Sequence, residues 1–316
     1  MSLSGAALIT GATGFIGRNL VRRLLDAGLE VTCLLREDST VPDAPSDADV
    51  FRDARVLRWD WRAGPAPEEV RADWVFHLAA AGVKPAERDP DLLRQANVDY
   101  PVRMVRLAGE WGARFILAGS SAEYADPPDR IRLGEASPVQ RDRLYGATKA
   151  LGTEAVLSHA REAGVPAVCC RLFGIYGAGE AAYRLFPTAV VNLAANRPVA
   201  LSTGTQVRDF LSVSDACSGL IAAADWLSRQ DGTSGNGIMN VCTGEGCQVR
   251  AFAEEIARVM GRDPALIEAG RIPLRPDDIP YLVGDPALLM QRSGWKPTPR
   301  AIALAREIER MTEDDG

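Results

Sequence analysis

Tyr145 and Lys149 stand four residues apart, so on a helix they share one face. A phenol with an ordinary pKa near ~10 is a poor acid-base group at neutral pH. An ammonium fixed beside it favours the phenolate, and the pair can then pass a proton to and from an oxygen atom. The spacing alone also fits a half-buried tyrosine beside a solvated lysine. What lies upstream raises the chemical reading. Thr10-Gly11-Ala12-Thr13-Gly14-Phe15-Ile16-Gly17 ends a short apolar run and opens a helical pattern. Glycines at such a junction permit a tight turn, close approach of the backbone to a diphosphate, and close helix–sheet packing. The helix N-terminus adds amide donors and a positive dipole end. An ordinary glycine-rich turn is the alternative, but strand–turn–helix is the context that dinucleotide binding requires.

The end of the second strand should choose the dinucleotide. An acid there hydrogen-bonds the ribose 2′-hydroxyl of NAD, whereas an arginine can hold the 2′-phosphate of NADP. The chain reads Leu34-Leu35-Arg36-Glu37-Asp38. Leu35 holds the strand-end position and Arg36 follows, so NADP(H) is favoured. NAD(H) is the alternative, through Glu37 or Asp38 if the strand ends later, and Arg36 also fits a solvated surface charge. Asp60, after the third strand, is placed to meet adenine or to serve as a cap or turn residue.

These groups need a scaffold. The apolar pattern predicts strands over 6–10, 30–35, 55–59, 74–80, 114–118 and 166–173, with helices over 18–27, 90–109 and 141–163. Strands alternating with helices predict a parallel sheet covered on both faces, and continuously apolar strands agree. After Gly174 glycine and proline rise and the elements shorten. The expected fold is α/β: a Rossmann-type, doubly wound parallel sheet with a smaller C-terminal substrate-binding lobe. Residues 1–175 would be the NAD(P)-binding domain, rejoined near 205–241 (by 209–224 and 237–241), and 176–204 with 242–316 the lobe.

The chain has 316 residues, is 47% hydrophobic and 25% charged, and carries a net charge of −6. Such a composition is that of a globular protein. The charge argues against nucleic acid and anionic membrane as main partners. No basic segment precedes the short N-terminal apolar run, so no signal peptide is expected. No stretch approaches the ~20 apolar residues that span a bilayer. The six cysteines form no C-x-x-C pair and the two histidines are His77 and His159, so no metal site is expected. Cys33, Cys169 and Cys170 sit in apolar runs and read as reduced core residues, which fits a cytoplasmic protein.

Further motifs follow in order: His77-Leu-Ala-Ala80, Asn97, Ser120-Ser-Ala-Glu-Tyr124, Arg171-Leu-Phe-Gly-Ile-Tyr-Gly-Ala-Gly179, Arg208-Asp-Phe-Leu-Ser-Val-Ser-Asp215, Arg275-Pro-Asp-Asp278 and Gly294-Trp-Lys-Pro297. With the glycine turn and Tyr145-x-x-x-Lys149, the chain resembles the extended short-chain dehydrogenases/reductases, in their nucleotide-sugar epimerase/dehydratase branch, over nearly its whole length. The resemblance implies an enzyme whose substrate is a nucleotide-diphosphate sugar. Tyr145 would be the acid-base group at the sugar oxygen. Lys149 would hold the nicotinamide ribose and lower the phenol. Ser121 would donate to the same oxygen, Ser120 being the alternative if the register slips by one. Gly11, Thr13, Gly14, Phe15, Ile16 and Gly17 would line the cofactor with Leu78, Ala79, Ala80 and Asn97, while His77 reads as a core residue. Arg208 and Arg275 would clamp the diphosphate, and Glu123 would lie on the substrate side. Asp278 would touch the nucleoside or pair with an arginine, and Trp295 would pack the C-terminal lobe. By family analogy helices 90–109 and 141–163 would form a homodimer interface, or else be buried within the monomer.

Relatives of this kind perform 4-epimerisation, 4,6-dehydration, 4-keto reduction and decarboxylation. Elimination needs an acid for the departing hydroxyl, and dehydratases follow the site serine or threonine with an acid pair or a spaced Glu. After Ser121 stand Ala122 and Glu123. A dTDP-glucose-type dehydratase is therefore disfavoured, and Glu123 keeps a GDP-mannose-type one open. Ser120-Ser-Ala-Glu-Tyr124 is also one residue shorter than the Ser-Ser-x-x-Val-Tyr-Gly of many epimerases, and resembles the GDP-4-keto-6-deoxymannose reductases. With Arg36, the leading expectation is reduction of a 4-keto-6-deoxy nucleotide sugar. An NAD-retaining 4-epimerase comes second. A non-catalytic NADP-binding regulator ranks low, because Tyr, Lys and Ser are all kept.

Overall fold

Each apolar run of the N-terminal half divides its side chains between two cores. In β1 (Ala6–Thr10) Ala7 and Ile9 enter one cluster and Leu8 the other. In β4 (Trp74–His77) Trp74 and Phe76 part from Val75, and in β5 (Arg114–Ser120) Ile116 parts from Phe115 and Leu117. Alternation with both faces apolar is what a sheet sandwiched between helices demands. The structure is a computed structural model and describes residues 3–41, 50–62, 64–67, 70–83, 87–127, 129–274 and 278–313. It joins these strands to β2 (Glu30–Leu35), β3 (Arg55–Arg58), β6 (Ala167–Leu172) and β10 (Gly237–Val241) in the order β10-β6-β5-β4-β1-β2-β3. Every pairing in this seven-stranded sheet is parallel.

Helices Phe15–Asp26 and Val213–Ser228 cover one face through Leu20, Leu24, Leu220 and Ala224. Helices Tyr100–Trp111 and Leu144–Glu162 cover the other through Met104, Val105, Val156 and Ala160. This is the doubly wound, Rossmann-type arrangement. Its order reverses between β1 and β4, and a crevice opens beyond the carboxyl ends of the strands at such a reversal.

A smaller sheet is centred on β9 (Val207–Ser212), with β7 (Gly174–Tyr176), β11 (Gly246–Gln248) and β13 (Tyr281–Leu282) around it, while β8 (Val199–Ala200) pairs with β12 (Ile267–Glu268). Helices Leu185–Ala194, Val249–Val259 and Arg300–Glu313 pack there through Phe186, Phe252, Ile256 and Leu304.

Several expected boundaries are corrected. Segment 209–224 does not rejoin the large sheet as a strand. Its β9 portion belongs to the small sheet, and the helix Val213–Ser228 is what returns, started by the Ser212 side chain accepting from Asp215 N. The fourth strand stops at His77, which leaves Leu78, Ala79 and Ala80 beyond its end at the crevice. The helix expected over 90–109 has three parts: Pro90–Arg94, a π turn over Gln95–Asp99, and Tyr100–Trp111. Pro101 has no N–H for the Asn97 carbonyl, and a Cβ on Gly152 would lie 1.9 Å from that same oxygen. Trp295 packs in the main core rather than in the C-terminal lobe, its Nε1 donating to Ser218 Oγ at 2.9 Å. All six cysteines are buried and free, and among the described residues no helix is long and apolar enough to cross a membrane.

Candidate active site

The glycine turn closes β1 onto the end of β4. A Cβ on Gly11 would fall 2.6 Å from Ala79 N, and one on Gly17 would fall 2.1 Å from Gly11 O, so both positions admit only glycine. The helix Phe15–Asp26 starts at Gly14 with no side-chain cap and no acid in its first turn. Its N-terminal amides and positive dipole end are left to an anion. This cradle fits a dinucleotide diphosphate. Thr13, Phe15 and Ile16 are half-buried around it, Leu78 and Ala79 are half-buried across from it, and Ala80 is exposed.

Asn97 lies behind this wall. Its Oδ1 accepts from Ala81 N at 3.0 Å, and its Nδ2 donates to Ala81 O and Thr148 Oγ1, both at 3.1 Å. With its amide so occupied, Asn97 braces the segment after Ala80 instead of lining the crevice. His77 is buried, with Nδ1 2.9 Å from Thr10 Oγ1. Burial, and then the Lys149 ammonium, push its imidazole down to about 3, so it is a neutral core residue.

The residues expected to transfer a proton gather at the end of β5. Ser120 closes the strand and caps a 3-10 turn over Ser121–Glu123, its Oγ accepting from Ala122 N at 3.1 Å. The helix Leu144–Glu162 comes against this turn because Gly146 has no side chain: a Cβ there would lie 2.0 Å from Ala122 O. Gln140 ties the two together, donating to Ala122 O at 3.2 Å and accepting from Arg143 N at 2.8 Å. Of the two expected serines it is Ser120 whose hydroxyl acts on the Tyr145 phenol, lowering it. Ser120 is half-buried and caps the turn, whereas Ser121 is buried at its start.

Burial raises the Tyr145 phenol above its ordinary range; the Ser120 hydrogen bond lowers it, Glu123 raises it and Arg184 lowers it. The spacing predicted that Lys149 would do the lowering. In the structure the buried ammonium donates instead to Ala118 O at 2.7 Å. Burial lowers the Lys149 ammonium, with the Glu123 and Cys169 charges acting in the opposite sense.

Glu123 is not a substrate-facing acid. It is fully buried behind the strand, where Oε1 accepts from Ser120 N at 2.8 Å and Oε2 accepts from Thr153 Oγ1 at 3.0 Å and Arg171 Nε at 2.8 Å. Arg171 lies over the Tyr124 ring at 4.4 Å, and Tyr124 donates to Asn240 Oδ1 at 2.7 Å.

Away from the strand ends, Arg208 of β9 is paired with Asp278, which also accepts from Gln206 Nε2 at 2.6 Å. Asp278 therefore holds an arginine, the second of its two expected roles. Arg275 lies outside the described residues. Arg36 follows β2 as expected, two-thirds exposed, its Nε 3.5 Å from Asp38 Oδ1. Asp60 is engaged by Arg62, whose backbone and side chain both donate to it at 3.0 Å and hold its carboxyl below the usual range. Asp60 thus fills its expected turn role.

Residue reasoning missed two features. Arg58 Nη1 donates to the carbonyls of Arg36, Glu37 and Ser39 at 3.2, 3.1 and 2.7 Å and so shapes the loop after β2. Glu180 is mostly buried beside Arg184 (Nε–Oε1 4.0 Å) with Oε2 lacking a partner, and burial pushes its carboxyl up to about 8. Neither carries a local signal, since each depends on a chain segment remote in sequence or on burial.

Fold and site together define a dinucleotide-binding enzyme of the short-chain dehydrogenase type. The sequence profile described as the NAD dependent epimerase/dehydratase family matches residues 7–242, and the chain belongs to that family. It is similar to UDP-glucose 4-epimerase from Streptomyces lividans, 26% identical over 322 residues, which cover 96% of this chain and 95% of that one. It is also similar to dTDP-6-deoxy-L-talose 4-dehydrogenase (NAD(P)(+)) from Kitasatospora kifunensis, 28% identical over 325 residues, with 95% and 93% covered. Among solved structures, MoeE5 in complex with UDP-glucuronic acid and NAD superposes with a TM-score of 0.82 at 26% identity, covering 98% of this chain and 99% of that one.

Proposed function

We propose that the protein reduces the 4-keto group of a nucleotide-linked 6-deoxy sugar, with Tyr145 giving the proton to O4. The observation that carries it is the packing of the Tyr145–Lys149 helix against the Ser120 turn at the end of β5, through Gly146 on Ala122 O and Lys149 on Ala118 O, next to the glycine cradle. NADP(H), when bound, supplies the hydride. Gly11, Gly14 and Gly17 would hold its diphosphate and Arg36 its 2′-phosphate. Ser120 orients the sugar oxygen and, by donating to the phenolate, eases proton loss from Tyr145. Lys149 keeps a positive charge at the end of β5, and Arg208, once drawn from Asp278, would meet the sugar diphosphate. Arg36 supports NADP, and a relative whose name specifies a 4-dehydrogenase accepting NAD(P)(+) supports redox at C4.

A retained-cofactor 4-epimerase is the second reading, and one observation favours it. Counted from Ser120, Tyr124 is four residues on, the same interval as from the second serine of Ser-Ser-x-x-Val-Tyr-Gly. Counted from Ser121 the loop is one residue short and points to a reductase; counted from Ser120 it is not short. Dehydration is disfavoured more strongly: the two residues after Ser120 are Ser121 and Ala122, and Glu123 is held by Arg171. We also propose a homodimer joined through helices Tyr100–Trp111 and Leu144–Glu162, by analogy with the family. The deciding experiment mixes the protein with dTDP-4-keto-6-deoxyglucose and NADPH, and separately with UDP-glucose and NAD⁺. Net loss of NADPH absorbance is expected. Interconversion of UDP-glucose and its C4 epimer without net cofactor change would put the epimerase first.

A further inference from the structure

We propose that Glu123 is a positioning residue: joined to Arg171, Thr153 and the Ser120 amide, it fixes the Ser120 hydroxyl and the helix of Tyr145 and Lys149 in one relative placement. The inference rests on reading Tyr145 as the proton-transfer group. Glu123 receives hydrogen bonds from three different elements: the end of β5 at Ser120 N, the helix Leu144–Glu162 at Thr153, and β6 at Arg171. Thr153 is four residues past Lys149 and eight past Tyr145, on the same helical face. A shift of that helix along or about its axis therefore moves both reacting groups and breaks the Thr153 bond together.

The carboxylate reaches this place only because β5 thins to a glycine there. A Cβ on Gly119 would lie 2.7 Å from Glu123 Oε1 and 2.7 Å from Cys169 Sγ. Water cannot substitute for the donors, since Glu123 has no exposed surface. Buried ion pairs can often be exchanged for apolar residues of similar volume without loss of stability. Stability alone thus gives little reason for a carboxylate here, whereas placing three elements at once does. The charge also acts on the chemistry, because Glu123 raises both the Tyr145 phenol and the Lys149 ammonium. The other charged or titratable groups facing these two are Arg184 from the loop after β7, Cys169 from β6 and His77 from β4.

The test is the double variant Glu123→Gln/Arg171→Met, which removes both charges and leaves neither unpaired. It should melt near the wild-type temperature and keep the melting shifts given by NADP⁺ and NAD⁺. Turnover of dTDP-4-keto-6-deoxyglucose or UDP-glucose should fall about 100-fold with KM little changed, as a misplaced reacting group predicts. Tyrosinate absorbance, taken as the difference from the same variant carrying Tyr145→Phe, should titrate at lower pH than in wild type, because the Glu123 charge that raises the phenol has gone while Arg171 is not among the groups that act on it. That titration needs no substrate. Wild-type turnover, or an unmoved titration, would overturn the proposal. If the double variant does not fold, Glu123→Asp serves: it keeps the charge but shortens the reach to Ser120 N, so turnover should still fall, and full activity would overturn the idea. A fully active Tyr145→Phe would remove the parent reading instead, while an inactive Tyr145→Phe beside a fully active double variant would remove only this inference.

Discussion

The two ends of the crevice are built on different physical principles. At the sugar end, polar groups are buried and mutually satisfied: Glu123 and Arg171 are at most 3% exposed, with Ser120, Thr153 and Tyr124 around them. At the adenosine end, Arg36 and Asp38 face solvent at 65% and 76% exposure, 3.5 Å apart. Exposed pairs contribute about 0–1 kcal/mol and are screened by salt, whereas breaking a buried pair leaves an uncompensated charge. On the proposed function, the proton would move within an interlocked interior, while the choice between NAD and NADP would rest on charges that solvent weakens.

The largest expected effect breaks the interior on one side only. Arg171→Met should cost about 3–5 kcal/mol of stability, since Glu123 is left charged and buried. Arg58→Met at the other end, also a loss of one guanidinium with several acceptors, should cost only about 1 kcal/mol because that side chain is exposed. Urea denaturation of the two variants measures both, and equal costs would erase the contrast. Next comes Tyr145→Phe. It should lower kcat about 100- to 10,000-fold while leaving cofactor binding in place, because only the proton-transfer hydroxyl is lost. Unchanged kcat would remove Tyr145 from the mechanism.

The two ends were also unequally legible. The glycine turn, the strand alternation and the Arg36 position depend on neighbours within a few residues, so pattern alone finds them. Ser120-x-x-Glu123 is the spacing of a capping box, and that spacing alone could have preferred Ser120 over Ser121 and turned Glu123 inward. What no local pattern shows is Arg171, 48 residues from Glu123, or that Thr153 would share the same carboxylate. The broken helix was half legible: Pro101 announces a missing donor, but only the approach of Gly152 shows why the Asn97 carbonyl is left as it is. The lowering of Tyr145 by Lys149 was inferred from spacing, but a shared helical face does not fix where a long ammonium points, and here it donates to Ala118 O.

Glu180 tests whether a buried carboxylate with one oxygen left unpartnered behaves differently from one whose two oxygens are both bonded. Its carboxyl is pushed up to about 8 by burial, against the pull of Arg184. Between the ordinary carboxyl range and about pH 8 the native state holds a proton that the unfolded chain has lost. Stability contributed by Glu180 is therefore present at low pH and lost as pH rises. Glu180→Gln should flatten that slope and stabilise the protein at about pH 9 by on the order of a few kcal/mol, with no gain at about pH 4. A gain independent of pH would mean that the variant improves packing and that the carboxyl ionises freely.

Arg36→Ala carries the smallest expected effect on function and sharpens the comparison most. Its guanidinium is exposed and shared with Asp38, so its hold on a 2′-phosphate is a partly screened charge–charge contact. NADP(H) binding should weaken about tenfold, close to 1.4 kcal/mol, and NAD(H) binding should hardly change. Because Debye lengths shorten with salt, the difference between wild type and variant should shrink as ionic strength rises. A loss that is the same for both cofactors would point to collapse of the loop that Arg58 supports, and a salt-independent loss would mean that the adenosine end closes over its ligand and is as buried in use as the sugar end.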